Sequence, residues 1–354
     1  MKVALVYDHL NKIGGAEAVL IQFAHLFPDA DWYTSVWDQR KTPFTQGWHI
    51  KASWINKLPY LPDHHEWIPY LMPFVFEAFD FSAYDLVISI SSAEGKGIMT
   101  KPGTVHLNYC LTPTRYLYSH QGEYLSNPLF RWIGNILRRW DLVAATRADV
   151  MIAISTQVKK RIQDVYNRNA DIIFPPVDTQ KFSKKSPFVP AWDRYYVTVS
   201  RLVSYKRIDL LVEAFNQSGK TLVVVGDGSE MRQLKHQARK NIHFVGAVAD
   251  PELVGYYEHC RAFVQANEED FGIAMCESLS SGHPVIAYRQ GGATDIVQDG
   301  VNGLLVNEQT PVAFNQAIDT SETMSFSAAQ CRASVTRFDK AIWEKQIKER
   351  IEHI

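Results

Sequence analysis

Residues 261–287 read RAFVQANEEDFGIAMCESLSSGHPVIA, and this stretch decides the fold class. It starts with an apolar run at 261–265, passes through an acidic loop and continues into a segment of helical spacing at 272–281. Gly282 stands where a helix commonly ends, and a second apolar run follows at 284–287. A strand, a helix and a second strand in this order predict a βαβ unit with parallel strands.

Two carboxylates stand out in this unit. Glu269 lies in the acidic loop, and Glu277 follows eight residues later, on the second turn of the predicted helix. A carboxylate on the core-facing side of a helix is costly unless a partner hydrogen-bonds it. Two such acceptors suit a ligand rich in hydroxyl groups, such as a ribose joined to a hexose. The alternative is that both acids only complement the positive N-terminus of the helix.

The same alternation of strands and helices extends along the chain. Apolar runs predict strands at 2–7, 31–36, 85–90, 104–109, 149–154, 171–174, 195–200, 221–226, 242–245, 261–265, 284–287 and 303–306. Helical spacing predicts helices at 15–26, 127–147, 155–165, 207–216, 229–239, 251–259, 272–281 and 310–319. Continuous apolar strands separated by helices indicate parallel sheets that are covered on both faces.

The segment 174–190 is rich in proline and lysine and predicts a linker between two domains. A chain of 354 residues is long enough for two cores. We therefore predict an α/β protein with two doubly wound, Rossmann-like parallel-sheet domains that face a cleft. Their predicted bounds are 1–180 and 190–337.

Composition excludes several classes of protein. A hydrophobic content of 46% with 21% charged residues is that of a globular protein, not a disordered one. The net charge of -1 provides no bulk attraction to nucleic acid. Four scattered cysteines without metal-type spacing predict reduced thiols. The N-terminus is predicted as a first strand, not a signal peptide, and no apolar run is long enough to span a bilayer. We expect a cytoplasmic protein.

Charged and glycine residues follow the predicted strands of the second half at their carboxyl ends, where ligands bind in open α/β sheets. These residues are Arg201 and Lys206 after 195–200, Gly226 after 221–226, Gly246 after 242–245, Glu269 after 261–265, and the pair Gly291 and Gly292 before a further helix. Arginine and lysine neutralise phosphate, and glycines let the backbone approach a ligand closely. This edge predicts a binding site for a diphosphate attached to sugars.

These residues resemble the retaining glycosyltransferases of family 4, which have the two-domain GT-B fold. The matching motifs are Gly14-Gly15-Ala16-Glu17, Ser200-Arg201-Leu202 with Lys206, Gly226-Asp227-Gly228, the Glu269…Glu277 pair around Phe271-Gly272, Gly291-Gly292, and Gly300-Val301-Asn302-Gly303. They cover both halves of the chain in the family's order. The stretch 109–117 resembles the bacterial subgroup of O-antigen and exopolysaccharide mannosyltransferases.

The resemblance implies a role for each matching residue. Arg201 and Lys206 would hold the donor diphosphate, Glu277 the ribose, and Glu269 with the Phe271-Gly272 backbone the transferred sugar. Gly14 and Gly15 would approach the diphosphate from the first domain, and Gly226, Gly246, Gly291 and Gly292 would complete the donor site. The resemblance also implies metal-independent retention with no cofactor, and a helix at 338–354 that crosses back to the first domain.

One position departs from the family pattern. Related sequences often carry histidine where this chain has Leu111, and leucine cannot donate or accept a hydrogen bond. Ser91, Ser92, His106 and Arg115 are the candidates for a replacement on the acceptor side. We leave the choice among them open.

The hypothesis that follows is a hexosyltransferase that moves a hexose, with mannose from GDP-mannose favoured, to a glycan or a polyprenyl-diphosphate-linked acceptor in bacterial surface polysaccharide synthesis. Replacing Lys206 or Glu277 by alanine should lower turnover by about two orders of magnitude or more. Two alternatives stay open: a nucleotide-sugar epimerase of similar shape, and a non-catalytic protein that binds nucleotide or glycan. Product analysis separates them.

Two acidic motifs resemble metal sites without the expected context. Asp29-Ala30-Asp31 precedes a predicted strand and does not follow one, and His64-His65-Glu66 lies in a proline-rich stretch. We predict no metal site at either.

Aromatic and basic residues in the first half favour contact with an anionic membrane. Residues 54–81 are rich in aromatic side chains, and residues 101–168 hold ten Lys/Arg against four Asp/Glu. Such mixtures are typical of interfacial helices at the inner face of the cell membrane. The alternative for 54–81 is a long, partly buried excursion of the first domain.

Overall fold

The computed structural model describes residues 1–12, 14–58, 60–64, 67–118 and 128–354. The chain divides into two units. Unit 1 comprises Met1–Phe174 and Glu344–Ile354, and unit 2 comprises Pro175–Trp343. The segment that we predicted as a linker therefore forms the start of unit 2, and the end of the chain belongs to unit 1.

Unit 1 contains a seven-stranded parallel sheet in the order β3-β2-β1-β4-β5-β6-β7. Its strands are β1 (Val3–Tyr7), β2 (Asp31–Thr34), β3 (His49–Ala52), β4 (Leu86–Ser91), β5 (Val105–Cys110), β6 (Val150–Ala153) and β7 (Asp171–Ile172). Its helices are α1 (Glu17–Leu26), α2 (Leu61–His64), α3 (Met72–Glu77), α4 (Arg115–Tyr118), α5 (Pro128–Thr146) and α6 (Thr156–Tyr166). Short 3₁₀ turns lie at Pro43–Thr45, Trp54–Lys57, Pro69–Leu71 and Glu94–Gly97.

Unit 2 contains a six-stranded parallel sheet in the order β10-β9-β8-β11-β12-β13. Its strands are β8 (Tyr196–Val199), β9 (Leu222–Val225), β10 (Ile242–Gly246), β11 (Phe263–Gln265), β12 (Val285–Tyr288) and β13 (Gly303–Val306). Its helices are α7 (Thr179–Phe182), α8 (Ile208–Ser218), α9 (Met231–Gln237), α10 (Asp250–Glu258), α11 (Ile273–Ser281), α12 (Ala293–Ile296), α13 (Pro311–Thr323) and α14 (Ala328–Val335). Two 3₁₀ turns lie at Ser204–Lys206 and Thr336–Phe338, and the last helix, α15, spans Lys340–Glu352.

Both sheets follow the doubly wound order, which confirms the predicted Rossmann-like class. In unit 1 the strand order reverses between β1 and β4, and in unit 2 it reverses between β8 and β11. The loops that leave the carboxyl ends of such a strand pair run to opposite faces of the sheet. They leave a crevice between them, which is where ligands bind in this class of fold.

The twelve strands predicted from apolar runs are all present, and one further strand was missed. β3 lies at the edge of its sheet and pairs only with β2, so half of its residues are exposed and its sequence carries no apolar run. The helix α14 was also missed, because only Cys331 and Val335 of its side chains are buried.

Each unit has its own apolar core. In unit 2, Val224 of β9 and Val264 of β11 pack in one cluster with Leu211 and Phe215 of α8. In unit 1, Val6 of β1 packs in a cluster with the aromatic side chains of segment 72–84. Burial of each such side chain stabilises the folded state by about 1.5–3 kcal/mol. The strands are held in place by this packing, and the polar residues of the candidate site follow them.

Candidate functional site

The predicted donor residues lie at the carboxyl edge of the sheet of unit 2. β8 leads into Arg201 and the 3₁₀ turn that contains Lys206, and β11 leads into the loop that contains Glu269. Since β8 and β11 are the strands between which the order reverses, these two loops border the crevice of this sheet. β9 and β10 add Gly226 and Gly246 at the same edge.

Lys206 and Glu269 form an ion pair across this crevice, with Nζ of the lysine donating a hydrogen bond to Oε1 of the carboxylate. The two side chains are only 13% and 19% exposed. A charge pair of this kind is neutral as a whole, which makes it tolerable in a partly desolvated place. A bound phosphate would compete for Lys206 and leave the carboxylate oxygens of Glu269 for other donors.

Tyr205 contacts both cations of the first loop. Its hydroxyl accepts a hydrogen bond from Nη2 of Arg201 at 2.6 Å, and its ring centroid lies 5.4 Å from Nζ of Lys206. The second contact has the distance of a cation–π interaction. Arg201 itself is exposed. Tyr205 was not among the predicted site residues, although it stands in the same loop of the sequence.

Gly291 and Gly292 let the loop after β12 lie against the loop of Glu269. The amide of Gly292 donates to the carbonyl of Glu269 at 2.8 Å. A Cβ atom on Gly292 would lie 1.9 Å from the carbonyl oxygen of Phe271, and one on Gly291 would lie 2.1 Å from that of Glu269. These glycines therefore hold Glu269 in place through the backbone. Phe271 is buried against Phe338, with ring centroids 5.3 Å apart.

Gly226 has a similar packing role at the other side of the crevice. A Cβ atom there would lie 1.9 Å from the carbonyl oxygen of Ser200, next to Arg201, and its own amide donates to the carbonyl of Gly246 at 2.7 Å. Gly246 has a φ of +78°, which favours glycine. Gly272 has a φ of +103° and stands directly before α11. The predicted glycines thus shape the edge, whether or not they touch a ligand.

Glu277 lies on the second turn of α11, where its Oε2 accepts a hydrogen bond from the hydroxyl of Tyr257 at 2.9 Å. Tyr257 belongs to α10 and is fully buried. Burial raises the pKa of Glu277 to about 7, while the Tyr257 hydrogen bond and the charge of Lys181 act in the opposite direction. Tyr257 escaped sequence analysis because nothing in its own helix indicates a partner in another segment.

Gln265 is a third polar residue, after Tyr205 and Tyr257, that was not among the predicted site residues. It is the last residue of β11 and is buried at 6% exposure. Its Nε2 atom has no hydrogen-bond partner among the residues that the structure describes. A buried amide donor without a partner is rare in folded proteins. Gln265 ends β11, one of the two strands that flank the crevice.

The predicted residues of unit 1 are divided between two locations. The amide of Gly14 donates to Oε1 of Glu17 at the start of α1, and Gly15 is exposed, with no described atom within 4 Å of an added Cβ. Ser92 follows β4 and donates to Oδ2 of Asp8 through its amide at 2.7 Å and its hydroxyl at 3.1 Å. Arg115 begins α4, one short loop after β5.

His106 does not lie at the carboxyl edge of the sheet of unit 1. It is the second residue of β5, towards the opposite end of the strand, and its side chain is fully buried. Its Nε2 atom lies 2.7 Å from the hydroxyl of Ser89, and burial lowers its pKa to about 4. Its proposed acceptor role therefore has no geometric support. Ser91, at the end of β4, is also buried, and its hydroxyl accepts a hydrogen bond from the side-chain Nδ2 of Asn108 at 2.8 Å.

The motifs that resembled metal sites lie elsewhere. Asp31 pairs with Lys51 at 3.0 Å, while His65 and Glu66 lie outside the described residues. Within the described ranges, no three His, Cys, Asp or Glu side chains form a group that could hold a metal ion. Over the same ranges, no helix is both long and apolar enough to span a bilayer.

Part of unit 2 is similar to a known protein family. Residues 179–336 match the family described as "Glycosyl transferases group 1". This region is similar to a glycosyltransferase group 1 domain. It contains Arg201, Lys206, Glu269 and Glu277.

Individual relatives match shorter parts of the chain. A GDP-mannose-dependent alpha-mannosyltransferase from Corynebacterium glutamicum is 33% identical over 161 residues, which is 44% of this chain and 38% of that protein. An uncharacterised glycosyltransferase from Methanocaldococcus jannaschii is 26% identical over 173 residues, 48% of each chain. The chain thus spans about half or less of the length of these curated relatives.

Solved structures match the whole chain. The structure of Anabaena Alr3699/HepE in complex with UDP has a TM-score of 0.75 to this chain at 21% identity, and the match covers 100% of both chains. At this level of identity the likeness shows the fold alone. The fold is therefore of the GT-B type that the sequence resemblance implies.

Proposed function

We propose that the protein is a retaining glycosyltransferase of family 4 that moves a hexose from a nucleotide-diphosphate sugar to a glycan or lipid-linked acceptor in surface polysaccharide synthesis. The observation that carries this proposal is the Lys206–Glu269 pair across the crevice between β8 and β11. It places one group suited to a diphosphate beside one suited to sugar hydroxyls.

The chemistry requires stabilisation of negative charge on the departing diphosphate. Arg201 and Lys206 would supply it, and a preorganised donor of this kind contributes about 2.7–4 kcal/mol to the transition state. Glu269 would then hold hydroxyls of the transferred sugar, and Glu277 those of the ribose. No metal is needed in this scheme, because the two cations neutralise the leaving group.

Mannose from GDP-mannose is the donor that we favour. The Corynebacterium glutamicum relative is named for GDP-mannose, whereas Anabaena Alr3699/HepE was solved with UDP. The discriminating experiment is calorimetric titration with GDP-mannose and UDP-glucose, followed by product analysis with a panel of simple glycosides. We expect tighter binding of GDP-mannose, release of GDP and a mannosylated glycoside with the α configuration retained. An altered nucleotide sugar would indicate an epimerase, and binding without release a non-catalytic protein.

The acceptor is proposed to reach unit 1 from an anionic membrane surface. Trp67 and Phe74 are 71% and 65% exposed, and Trp132 on α5 is 62% exposed, although Val75 and Phe76 in the same region are buried. Large exposed apolar side chains near basic ones favour an interfacial attachment. We expect the protein to sediment with phosphatidylglycerol vesicles at low salt and a Trp67→Ser/Phe74→Ser variant to do so at least several-fold less. Equal sedimentation of the two proteins would exclude this surface.

A further inference from the structure

Glu94 occupies the place in unit 1 that the Glu269 loop occupies in unit 2. It begins the 3₁₀ turn that follows β4, and β4 is one of the two strands between which the order of the seven-stranded sheet reverses. The loops after β1 and β4 therefore border the crevice of this sheet. Ser92 in the same loop is a predicted acceptor-side residue, whereas Glu94 is not.

The backbone around Glu94 is held firmly by Asp8, the residue after β1. Oδ1 of Asp8 accepts a hydrogen bond from the amide of Gly95 at 2.7 Å, and its Oδ2 accepts two from Ser92. A Cβ atom on Gly95 would lie 2.8 Å from Oδ1 of Asp8, so only glycine fits comfortably there. Since both oxygens of Asp8 are engaged, Asp8 is a positioning residue for this loop.

The Glu94 side chain is 93% buried, and its carboxylate accepts two hydrogen bonds. One comes from the hydroxyl of Tyr116, on α4, to Oε1, and the other from the backbone amide of Glu94 itself. Among the described residues, no other side chain donates to Glu94. A carboxylate can accept several hydrogen bonds, so this group has acceptor capacity that the protein does not use.

Glu94 forms no salt bridge with a described residue. The neighbouring charges are Asp8, of the same sign, and Lys96. Nζ of Lys96 is already bound to Asp141 at 2.5 Å, to the carbonyl of Ala93 at 2.7 Å and to the hydroxyl of Thr114 at 2.9 Å. Burial raises the pKa of Glu94 to about 7. Buried carboxyl groups without a counter-ion are costly, and they are concentrated at functional sites.

We propose that Glu94 binds the acceptor of the transfer reaction, with its Oε2 accepting a hydrogen bond from a hydroxyl of the incoming sugar. This rests on the proposed function for the identity of the ligand as a sugar acceptor. A cation is the less suitable occupant, because the oxygens of Asp8 are engaged and the part of the chain that the structure describes holds no group of three metal-ligating side chains. The expected substrate class is a neutral glycoside with adjacent hydroxyl groups.

The test measures binding of methyl α-D-mannopyranoside and methyl α-D-glucopyranoside by saturation-transfer NMR. We expect the wild type to bind at least one of them and Glu94→Gln to bind it at least ten-fold more weakly. Tyr116→Phe should weaken binding a few-fold, whereas Tyr118→Phe should not, because Tyr118 on the same helix donates to Asp141 at 3.0 Å. Wild-type affinity should rise from pH 6 to pH 8 as the carboxyl ionises, and that of Glu94→Gln should not.

Equal binding by the wild type and Glu94→Gln, or no glycoside binding by the wild type, would overturn the proposal. Thermal unfolding checks that Glu94→Gln is folded; if it is not, the comparison of Tyr116→Phe with Tyr118→Phe decides in its place. Release of GDP or UDP from nucleotide sugars without glycoside is measured on the same samples. Absence of release from the wild type would count against the proposed function, while the glycoside titration would still decide the role of Glu94.

Discussion

The crevices of the two sheets have the same parts but differ in the charge around them. Each lies where a doubly wound order reverses, and each has a buried or partly buried glutamate whose pKa is raised to about 7. Each glutamate accepts a hydrogen bond from a tyrosine hydroxyl, Glu94 from Tyr116 and Glu277 from Tyr257. A hydrogen bond from a tyrosine hydroxyl to a glutamate therefore occurs in both units.

The two crevices differ in how accessible their lysines are, Lys206 in unit 2 and Lys96 in unit 1. In unit 2, Lys206 is partly exposed and pairs with Glu269 at the crevice. An incoming phosphate could therefore replace Glu269 as the partner of this lysine. In unit 1, Lys96 is 2% exposed and pairs with Asp141, which is fully buried and also accepts from Thr114, Tyr118 and Tyr166. One lysine is available to a ligand and the other stabilises the fold. This contrast suits unit 2 to a diphosphate and unit 1 to a neutral sugar.

The largest expected effect is on stability, in the Lys96→Ala variant. Removal of the ammonium leaves Asp141 buried without its cation, and breaking such a pair costs about 3–5 kcal/mol. Urea unfolding measures the loss. Lys220→Ala is the matched control, because Lys220 pairs with Asp319 and Glu322 near the surface and should cost about 1 kcal/mol or less. Equal losses in the two variants would remove the contrast between the two crevices.

The second-largest effect is expected on the turnover of the Lys206→Ala variant. Loss of a cation on the departing diphosphate should lower kcat about 10²–10³-fold, with little change in the free energy of unfolding. Arg207→Asn removes the adjacent charge while keeping a residue that tolerates the φ of 51° found there. Turnover of this control should stay within about three-fold of the wild type. A Lys206→Ala variant that is equally active would refute the proposed donor site.

The third prediction concerns how stability depends on pH. The pKa of Glu94 is raised from 4.5 in the unfolded chain to about 7, so the folded protein binds the proton more tightly. Wild-type stability should therefore fall as pH rises from about 4.5 to 7, whereas Glu94→Gln lacks this loss. At 1.36 kcal/mol per unit, the variant should be more stable by on the order of 3 kcal/mol above pH 7 and nearly equal below pH 4.5. Parallel pH profiles would show that Glu94 is not desolvated in solution.

The sequence predicted the sheets and the residues at the carboxyl edge of unit 2 because both depend on local signals. Apolar runs identify buried strands such as β9, and the residues directly after them, such as Arg201, identify the carboxyl edge. The edge strand β3 lacks this signal because it is half exposed. Partnerships between distant segments leave no local trace, so Tyr257 with Glu277 and Asp8 with the Glu94 loop needed the structure.

His106 illustrates the opposite error. His106 was considered as a replacement for the group that Leu111 lacks because of its residue type, although the predicted strand at 104–109 already places it near the start of that strand. The structure places it beside Asp149, whose carboxylate accepts from the His106 amide at 2.8 Å, at the start of β5. Residues at the start of a parallel strand lie at the edge opposite to the ligand crevice.

The smallest effect is expected for Tyr257→Phe. Its hydroxyl holds Oε2 of Glu277, and a hydrogen bond to a charged group contributes about 1.5–3 kcal/mol, of which water can replace a part. We expect the KM of the nucleotide sugar to rise about three- to ten-fold with kcat nearly unchanged. Loss of the Tyr257 hydroxyl should also raise the pKa of Glu277 further, so the increase in KM should be larger at pH 6.5 than at pH 8.5.

The control for this variant is Tyr256→Phe, one position earlier in α10, where the ring packs on Phe188 with centroids 5.2 Å apart. Both tyrosines are buried, so a purely structural role would weaken the two variants alike and independently of pH. A rise in KM that is confined to Tyr257→Phe and decreases with pH would tie Glu277 to the nucleotide sugar. It would also make the tyrosine–glutamate pair the common element of the two crevices in function as well as in geometry.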